Sequence, residues 1–513
     1  MAPIVEELLP VPDPVRCCAQ LAGQPYRLFL DSAARGPLGR YSFLMADPIA
    51  VVRGKGEHTV HVDLLAGATR VVAGDALDAV RALLAPHAAP PLAGLPPFQG
   101  GAAGYVAYDW GRSLERLPAP RYDDLAVPDL VLGVYDWVVA WDHEASRAWL
   151  ISTGMPETSP EKRMRRAMAR AAAVRAIMCA PDPIGSGLHL LGLDLLGVHP
   201  AGDRREADVA RTLLGPATVD RAAAAPSFPL DAAWADPRLG LRSSFTHAGY
   251  LDAVARVREL VFAGDIFQAN LSQRFEAPLV ESAWALYGRL RSRNAAPFAA
   301  FFETPGAVLL SASPERFLQV DVQGRVETRP IKGTRPRGLG PEHDAALGQA
   351  LVESGKDRAE NLMIVDLMRN DLSRVCRPGS VRVSELFALE HYATVHHLVS
   401  TVVGELAPGS DALDLLRAAF PGGSITGAPK VRAMEIIADL EPSQRGVYCG
   451  SVGYSSVTGA LDTSIAIRTA VAVGNRVYFG AGGGIVADSD PEQEYRETLD
   501  KARGMIEALA TPV

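Results

Sequence analysis

The chain is poor in cysteine and places none of it where a metal or a disulfide framework would need it. Cys17, Cys18, Cys179, Cys376 and Cys449 are odd in number and form no CxxC or Cys/His grouping of zinc spacing. A reducing, cytoplasmic setting is therefore expected. A basic excess is missing too: 51 Lys and Arg stand against 59 Asp and Glu, for a net charge of -8 without any basic block. That excludes the electrostatic footprint of a nucleic-acid binder and leaves a small molecule as the expected ligand. No apolar run is long enough for a bilayer, since the longest, Leu130 to Trp141, is short and interrupted by Asp136. No membrane role is expected. The start carries Glu6, Glu7 and Asp13 and no positive region before an apolar one, so it does not read as a secretory signal.

What is present is an ordinary globular composition, with 48% hydrophobic and 21% charged residues over 513 positions. That length exceeds a usual single core, so two domains or one large α+β domain is expected. Runs bounded by Gly and Pro, such as Leu28 to Leu30, Ala102 to Tyr108 and Leu130 to Trp141, read as strands. Pro160 to Met178 reads as a helix whose arginines form a solvated side. From Pro181 to Phe245 periodicity weakens, with Ala222 to Ala225 beside Pro226, and a partly ordered connector is expected.

After the connector, Thr246 caps a helix from His247, with Leu251, Val254, Val257 and Val261 at helical spacing. Ala307 to Ala312, Phe317 to Val322, Arg325 to Arg329 and Val477 to Gly480 read as strands, with Gln323-Gly324 as a hairpin turn. Helices are expected over His343 to Met368, Ala412 to Ala419, Ala428 to Ala438 and Pro491 to Leu509. Without strict βαβα alternation, the fold class is α+β with largely antiparallel sheets.

Chemistry-bearing residues concentrate in the second half. Asp357 with Glu360, and Glu494 with Glu497, each share one helix face, the arrangement of a solvated surface or of oxygen ligands to a hard cation such as magnesium. Gly480-Ala481-Gly482-Gly483-Gly484 offers bare backbone, for a turn of positive φ or for a ligand carboxylate; it fits neither a dinucleotide fingerprint nor a phosphate loop. Lys332 lies at a strand end before Arg335 and Arg337. A free lysine, with a pKa of about 10.4, is neutral roughly once in several thousand molecules at pH 7, so nucleophilic use requires burial or neighbouring cations. Glu315 is either a hairpin acid paired with Arg316 or a buried general acid. His397 is either a core histidine or a site residue.

These strings together resemble the chorismate-utilising enzyme family. The likeness runs from about Thr246 to Met505 through Gly264 to Gln268, Ser313 to Phe317, Pro330 to Thr334, Glu360 to Leu372, Gly423 to Lys430 and Gly482 to Lys501. It implies a large antiparallel α+β fold divided into a first domain over residues 1–155, a helix and connector over 156–245 and a chorismate-binding catalytic domain over 246–510. It also implies Mg2+ held by Glu360 and Glu497, with Asp357 and Glu494 acting through water. The substrate would be surrounded by Gln268, Thr334, Thr426, Tyr448, Arg468, Gly482, Gly483, Gly484 and Lys501, with Lys332, Glu315 and His397 doing the chemistry.

The first part is similar to the family's first domain through Leu30-Asp31-Ser32, Gly39 to Ser42 and Gly100 to Tyr105. In some relatives that region holds tryptophan, which would place Ser32, Gly39, Arg40, Tyr41, Ser42, Pro297, Phe298 and Ala299 around it. Phe29 to Ser32 departs from the Leu-Leu-Glu-Ser of feedback-inhibited members, which argues against inhibition by tryptophan here.

Two positions sort the family by chemistry. Members that add water carry a lysine base where this chain has Gln268, which cannot take a proton from water, so ammonia is the implied nucleophile. Members that make anthranilate have alanine where this chain has Lys332, so amination at carbon 4 of chorismate, for para-aminobenzoate and folate, is implied. The alternatives are an anthranilate-forming enzyme and a silent chorismate- or tryptophan-binding regulator. No cysteine sits in a Gly-x-Cys-x-Gly elbow, so a glutamine amidotransferase partner is expected to supply the ammonia.

Overall fold

The computed structural model describes residues 2–119, 121–179, 224–392 and 395–510. The expected connector from Pro181 lies outside the described residues as far as 223, including the start of the Ala222 to Ala225 run.

Among the described residues the strands form two large sheets, one of 13 strands and one of 12, antiparallel at their pairings. Each sheet takes strands from both sides of the connector. In the first, Leu28–Asp31 pairs with Phe298–Thr304, and in the second, Gly101–Val106 pairs with Ser451–Ser456. Alternation along the strands sends successive side chains to opposite faces. Phe302 and Leu309 point into a core shared by the sheets, where Tyr105 meets Phe302 at 6.2 Å and Phe43 meets Tyr454 at 5.3 Å. Their neighbours Phe301 and Leu310 point outward, under the helices His247–Phe262, Ala283–Arg293, Lys430–Leu440 and Pro491–Leu509. The second sheet's outer face is covered by Ala76–Leu84, Gly355–Ser373 and Ala412–Ala419. The α+β antiparallel reading holds, and no helix among the described residues is long and apolar enough to cross a membrane.

Several expected elements change on folding. Leu130 to Trp141 becomes two strands, Leu130–Tyr135 in the second sheet and Trp137–Asp142 in the first, with Asp136 at the crossing. Asp136 is fully buried and takes Arg166 and Arg170 at 3.2 and 3.1 Å, so the helix Pro160–Met178 turns two of its arginines inward. The expected single helix from His343 is two, Pro341–Glu353 and Gly355–Ser373, because the Ser354 hydroxyl accepts from Asp357 N and starts a new helix. The glycine run is no loop. Gly480 to Gly484 continue the strand Arg476–Ile485, and none of these glycines has a positive φ.

Candidate active site

Glu315 stands between the strands Ala307–Ser313 and Arg316–Val320 and is 4% exposed. Burial pushes its carboxyl up to about 7, against the opposing pull of a Ser424 hydroxyl bond, Lys332, the Ile331 N–H and Lys501. Arg316 is not its partner, since that guanidinium turns to Asp462 and Glu327. The buried general-acid environment is therefore the one observed.

Lys332 is half-buried on the strand Ile331–Pro336, where the pairing register slips between Ile331 and Thr334. Gly333 makes the slip possible, with φ +83° and no room for a Cβ, which would lie 2.9 Å from Asp357 Oδ1. Arg335 and Arg337, which follow Lys332 as candidate neighbouring cations, are each engaged by a carboxylate: Arg335 by Asp357 at 2.9 Å and Arg337 by Asp344 at 2.6 Å. Thr334 Oγ1 lies 2.9 Å from His397 Nδ1 on the adjoining strand. Burial, aided by Arg468, pushes His397 down to about 4, so a neutral imidazole occupies the site.

Two helices face each other with acids. Glu360 is half-buried and Glu494 is 3% exposed, and burial raises both carboxyls above their ordinary range. Glu494 Oε1 accepts from Ser489 Oγ at 2.7 Å. Burial also acts to raise Glu497, but the Lys501 ammonium at 2.7 Å outweighs it and holds the carboxyl low. Glu497 is the exposed member of its pair, whereas Glu494 was expected to lie farther from the metal. Lys356 reaches between the helices, 3.7 Å from Glu494 and 4.0 Å from Glu360. Among the described residues no three acids or imidazoles come together at ligand spacing, and the two lysines supply the positive charge. The donor set is all oxygen and of like charge, with Glu360 and Glu494 raised by burial, which is the chemistry that suits a hard cation.

The glycines provide close approach rather than a turn. A Cβ at Gly480 would meet the Tyr448 ring at 2.4 Å, at Gly482 the Leu271 carbonyl at 2.5 Å, at Gly483 the Glu494 carboxylate at 2.9 Å, and at Gly484 the Gln268 amide at 2.6 Å. Tyr448 and Thr426 are buried, and Thr426 Oγ1 donates to its own Gly422 carbonyl at 3.0 Å. Lys501 Nζ donates to the Gly482 carbonyl at 2.8 Å. Gln268 is fully buried, and neither its amide oxygen nor its amide nitrogen has a hydrogen-bond partner. Arg468 sits in the left-handed region at φ 49°, its pKa lowered by burial, and no carboxylate among the described residues pairs with it. A largely buried guanidinium with no carboxylate partner among the described residues is prepared for an anion.

A second polar group gathers at the residues named above for the tryptophan pocket of some relatives. Ser32 Oγ donates to Tyr41 O at 2.5 Å and Pro297 O at 3.2 Å, and Ser42 Oγ accepts from Ser32 N at 3.0 Å and faces His143 at 2.7 Å. A Cβ at Gly39 would collide with the Ala34 carbonyl. Arg40 grips Asp142 at 2.7 Å, Phe298 lies 5.3 Å under the Arg316 guanidinium, and Ala299 pairs with Asp31.

Sequence reasoning missed Ser424 and Lys356. Lys356 stands four residues before Glu360 on one helix, a spacing that could have exposed it. Ser424 had no signal beyond its place in the Gly423 to Lys430 string. Lys430 in that string is structural, bound to Asp371 at 2.6 Å.

Residues 194–507 match the family described as chorismate binding enzyme. Over 491 residues the chain is 41% identical to aminodeoxychorismate synthase component 1 of Salmonella typhimurium, covering 94% of this chain and 93% of that protein. To anthranilate synthase component 1 of Streptomyces coelicolor it is 38% identical over 501 residues, covering 97% and 86%. The crystal structure of anthranilate synthase component I from Streptococcus pneumoniae superposes with a TM-score of 0.72 at 29% identity, covering 92% of this chain and 93% of that one. On the strength of its own site geometry and of these matches, the chain belongs to the chorismate-binding enzyme family.

Proposed function

We propose that this chain aminates chorismate at carbon 4, forming 4-amino-4-deoxychorismate with its enolpyruvyl group intact, through a covalent adduct on Lys332. The observation that carries the reading is the pairing of Lys332 with Glu315: an amine acting electrostatically on a buried carboxyl whose pKa is about 7. An acid of that strength is half-protonated at working pH and can give its proton to a departing hydroxyl. Lys332 attacks carbon 2 as a neutral amine, the double bond shifts, and the carbon 4 hydroxyl leaves as water with the proton of Glu315. Ammonia then adds at carbon 4, the double bond returns, and Lys332 is released from carbon 2. Chorismate and ammonia thus give product and one water, in two steps rather than one displacement.

The remaining residues bind and orient. Arg468 and the backbone of Gly482, Gly483 and Gly484 supply positive charge and N–H groups to the two substrate carboxylates, while burial keeps His397 neutral and Thr334 orients it beside the ring. Glu360 and Glu497, assisted by Asp357 and Glu494, are the residues that would hold Mg2+, with Lys356 and Lys501 giving way. A cation there would neutralise the acids and draw charge toward the ring carboxylate. Gln268 has no base to offer water, so ammonia is the nucleophile. A separate glutamine-hydrolysing component supplies it, in keeping with the two-component naming of the relatives.

The identities of 41% and 38% are too close to choose between amination at carbon 4 and at carbon 2, and residue 332 makes the choice. The test is chorismate, magnesium and ammonium chloride with the purified chain, the product identified by mass. Aminodeoxychorismate is expected; anthranilate with pyruvate would overturn the reading in favour of the second reaction, and no turnover would point to a regulator.

A further inference from the structure

A buried ion pair that takes no part in the chemistry above lies behind the site. Glu441 follows the last residue of the helix Lys430–Leu440 and Arg445 comes four residues later, and both are buried. The guanidinium spends its N–H groups in three directions. Nε and Nη2 donate to the two Glu441 oxygens at 2.8 and 2.7 Å, Nη2 also to Asn270 O at 2.5 Å, and Nη1 to Ile425 O at 2.9 Å. Its carbon centre stands 4.5 Å from the centroid of the Tyr108 ring. Glu441 Oε1 in turn accepts from Ser272 N and Ser272 Oγ at 2.8 Å each. Asn270 and Ser272 belong to the strand Gln268–Pro278, and Ile425 ends the helical turn Gly423–Ile425. Asn270 ties the same two segments again, its side-chain amide donating to Ile425 O at 3.1 Å and its backbone N–H to Thr426 O at 2.7 Å.

On its other side this turn meets the acid. Gly422, at the entry to the turn, packs so closely that a Cβ would lie 2.7 Å from Ile465 and 3.3 Å from Phe317, and Ile465 N donates to Glu315 O at 3.1 Å. Ser424, in the middle of the turn, bonds the Glu315 carboxyl. Replacing a buried ion pair by apolar side chains of similar volume is often neutral or stabilising, so stability alone does not account for charges here. What an apolar pair cannot do is grip carbonyls of two different segments with one planar fork. We infer that Arg445 is a positioning residue for the reaction: its hold on the Ile425 carbonyl, backed by Glu441, fixes the turn so that Ser424 stays on Glu315. This rests on the reading of Glu315 as the general acid. A hydroxyl donating to a carboxylate favours its charged form, so a turn set loose leaves Glu315 a weaker acid.

The test compares Glu441→Leu/Arg445→Met, which removes the pair without changing net charge, with Ser424→Ala. Two midpoints are read: the alkaline limb of kcat/KM with ammonium chloride, and the 13C NMR titration of the Glu315 carboxyl, assigned by its absence from Glu315→Gln. Ser424→Ala is expected to move both up from about 7 by about one unit, and the double variant by about half a unit or more in the same direction. The triple variant should move no further than Ser424→Ala, because both changes act through one hydroxyl. Unmoved midpoints in a folded double variant would overturn the inference, and so would shifts that add in the triple variant, since Arg445 would then act by another route. Should the double variant not fold, Arg445→Lys decides in its place by the same shift, because it keeps the charge beside Glu441 and gives up the fork. If the unaltered chain makes no product from ammonium chloride, the amination reading has failed, and the carboxyl titration still decides whether Arg445 positions Ser424.

Discussion

Two polar clusters of the molecule treat their polar groups in opposite ways. Around Ser32 each hydroxyl is partnered: Ser32 with Tyr41 and Pro297, Ser42 with Ser32 and His143. The acid beside them, Asp31, is taken up by Tyr287 and Arg291. Around Glu315 the reverse holds. Among the described residues Gln268 has no hydrogen-bond partner and Arg468 has no carboxylate, and Glu315, Glu360 and Glu494 are acids raised by burial. Buried polar groups are normally satisfied, so a cluster left unsatisfied is one whose partners arrive with a ligand. The first cluster spends its hydrogen bonds on the fold, whereas the second leaves the Gln268 amide and the Arg468 guanidinium uncommitted.

The sharpest way to break this contrast is at Glu315. Glu315→Gln keeps the shape and removes the proton, and turnover should fall by about 10²–10⁴-fold. In the unaltered protein, kcat/KM should decline as pH rises through about 7, where the acid form is lost, and the variant's residual rate should lack that limb. The same group acts on stability. Its folded pKa of about 7 lies above the ordinary 4.5, so the folded chain holds the proton more tightly and stability drops as pH climbs between those values. Glu315→Gln should therefore gain denaturant resistance relative to the parent at pH 8 and not at pH 4; equal curves at both would show that Glu315 is not strained.

The acid cluster should respond at least as strongly. Glu360→Gln and Glu497→Gln are each expected to abolish measurable turnover with the fold intact, since each removes a full charge proposed to face the cation, and Asp357→Asn should be milder. A magnesium titration of all four proteins checks this, and identical magnesium dependence would remove these residues from any metal role. Smaller is Arg468→Gln, where loss of a charge-assisted bond of about 2–3 kcal/mol should raise KM for chorismate by roughly 30- to 160-fold. An unchanged KM would mean that the free guanidinium does not meet the substrate. The smallest effect belongs to the satisfied cluster: Ser32→Ala should cost about 1 kcal/mol of stability, read by denaturant titration, with kinetic constants within about twofold.

How much of this was legible beforehand follows from what is local. Thr246, Asp411 and Asp490 cap their helices, accepting from Gly249, Leu413 and Gln493, and caps are readable from a few adjacent residues. The burial of Glu315 was readable only as a requirement of its proposed role. Other features depend on distant chain. The strand through Gly480 to Gly484 exists because residues 269–274 pair with it, and the crossing at Asp136 exists because Arg166 and Arg170 come from a later helix. That Arg335 and Arg337 are held by Asp357 and Asp344 depends on residues distant in the chain. Ser354 divides a helix that periodicity alone makes continuous.

The central claim is that Lys332 bonds to substrate, and intact-mass spectrometry tests it most directly. Chorismate and magnesium mixed with the chain in the absence of ammonia should add the mass of chorismate less one water, mapped to the peptide carrying Ile331 and Gly333. Lys332→Ala should stay unmodified and lose most aminodeoxychorismate formation, and Lys332→Arg should not restore it, because a guanidinium stays protonated at working pH. An unmodified parent under single-turnover conditions, with near-normal product from Lys332→Ala, would contradict the account and leave Lys332 as a counter-charge for the substrate.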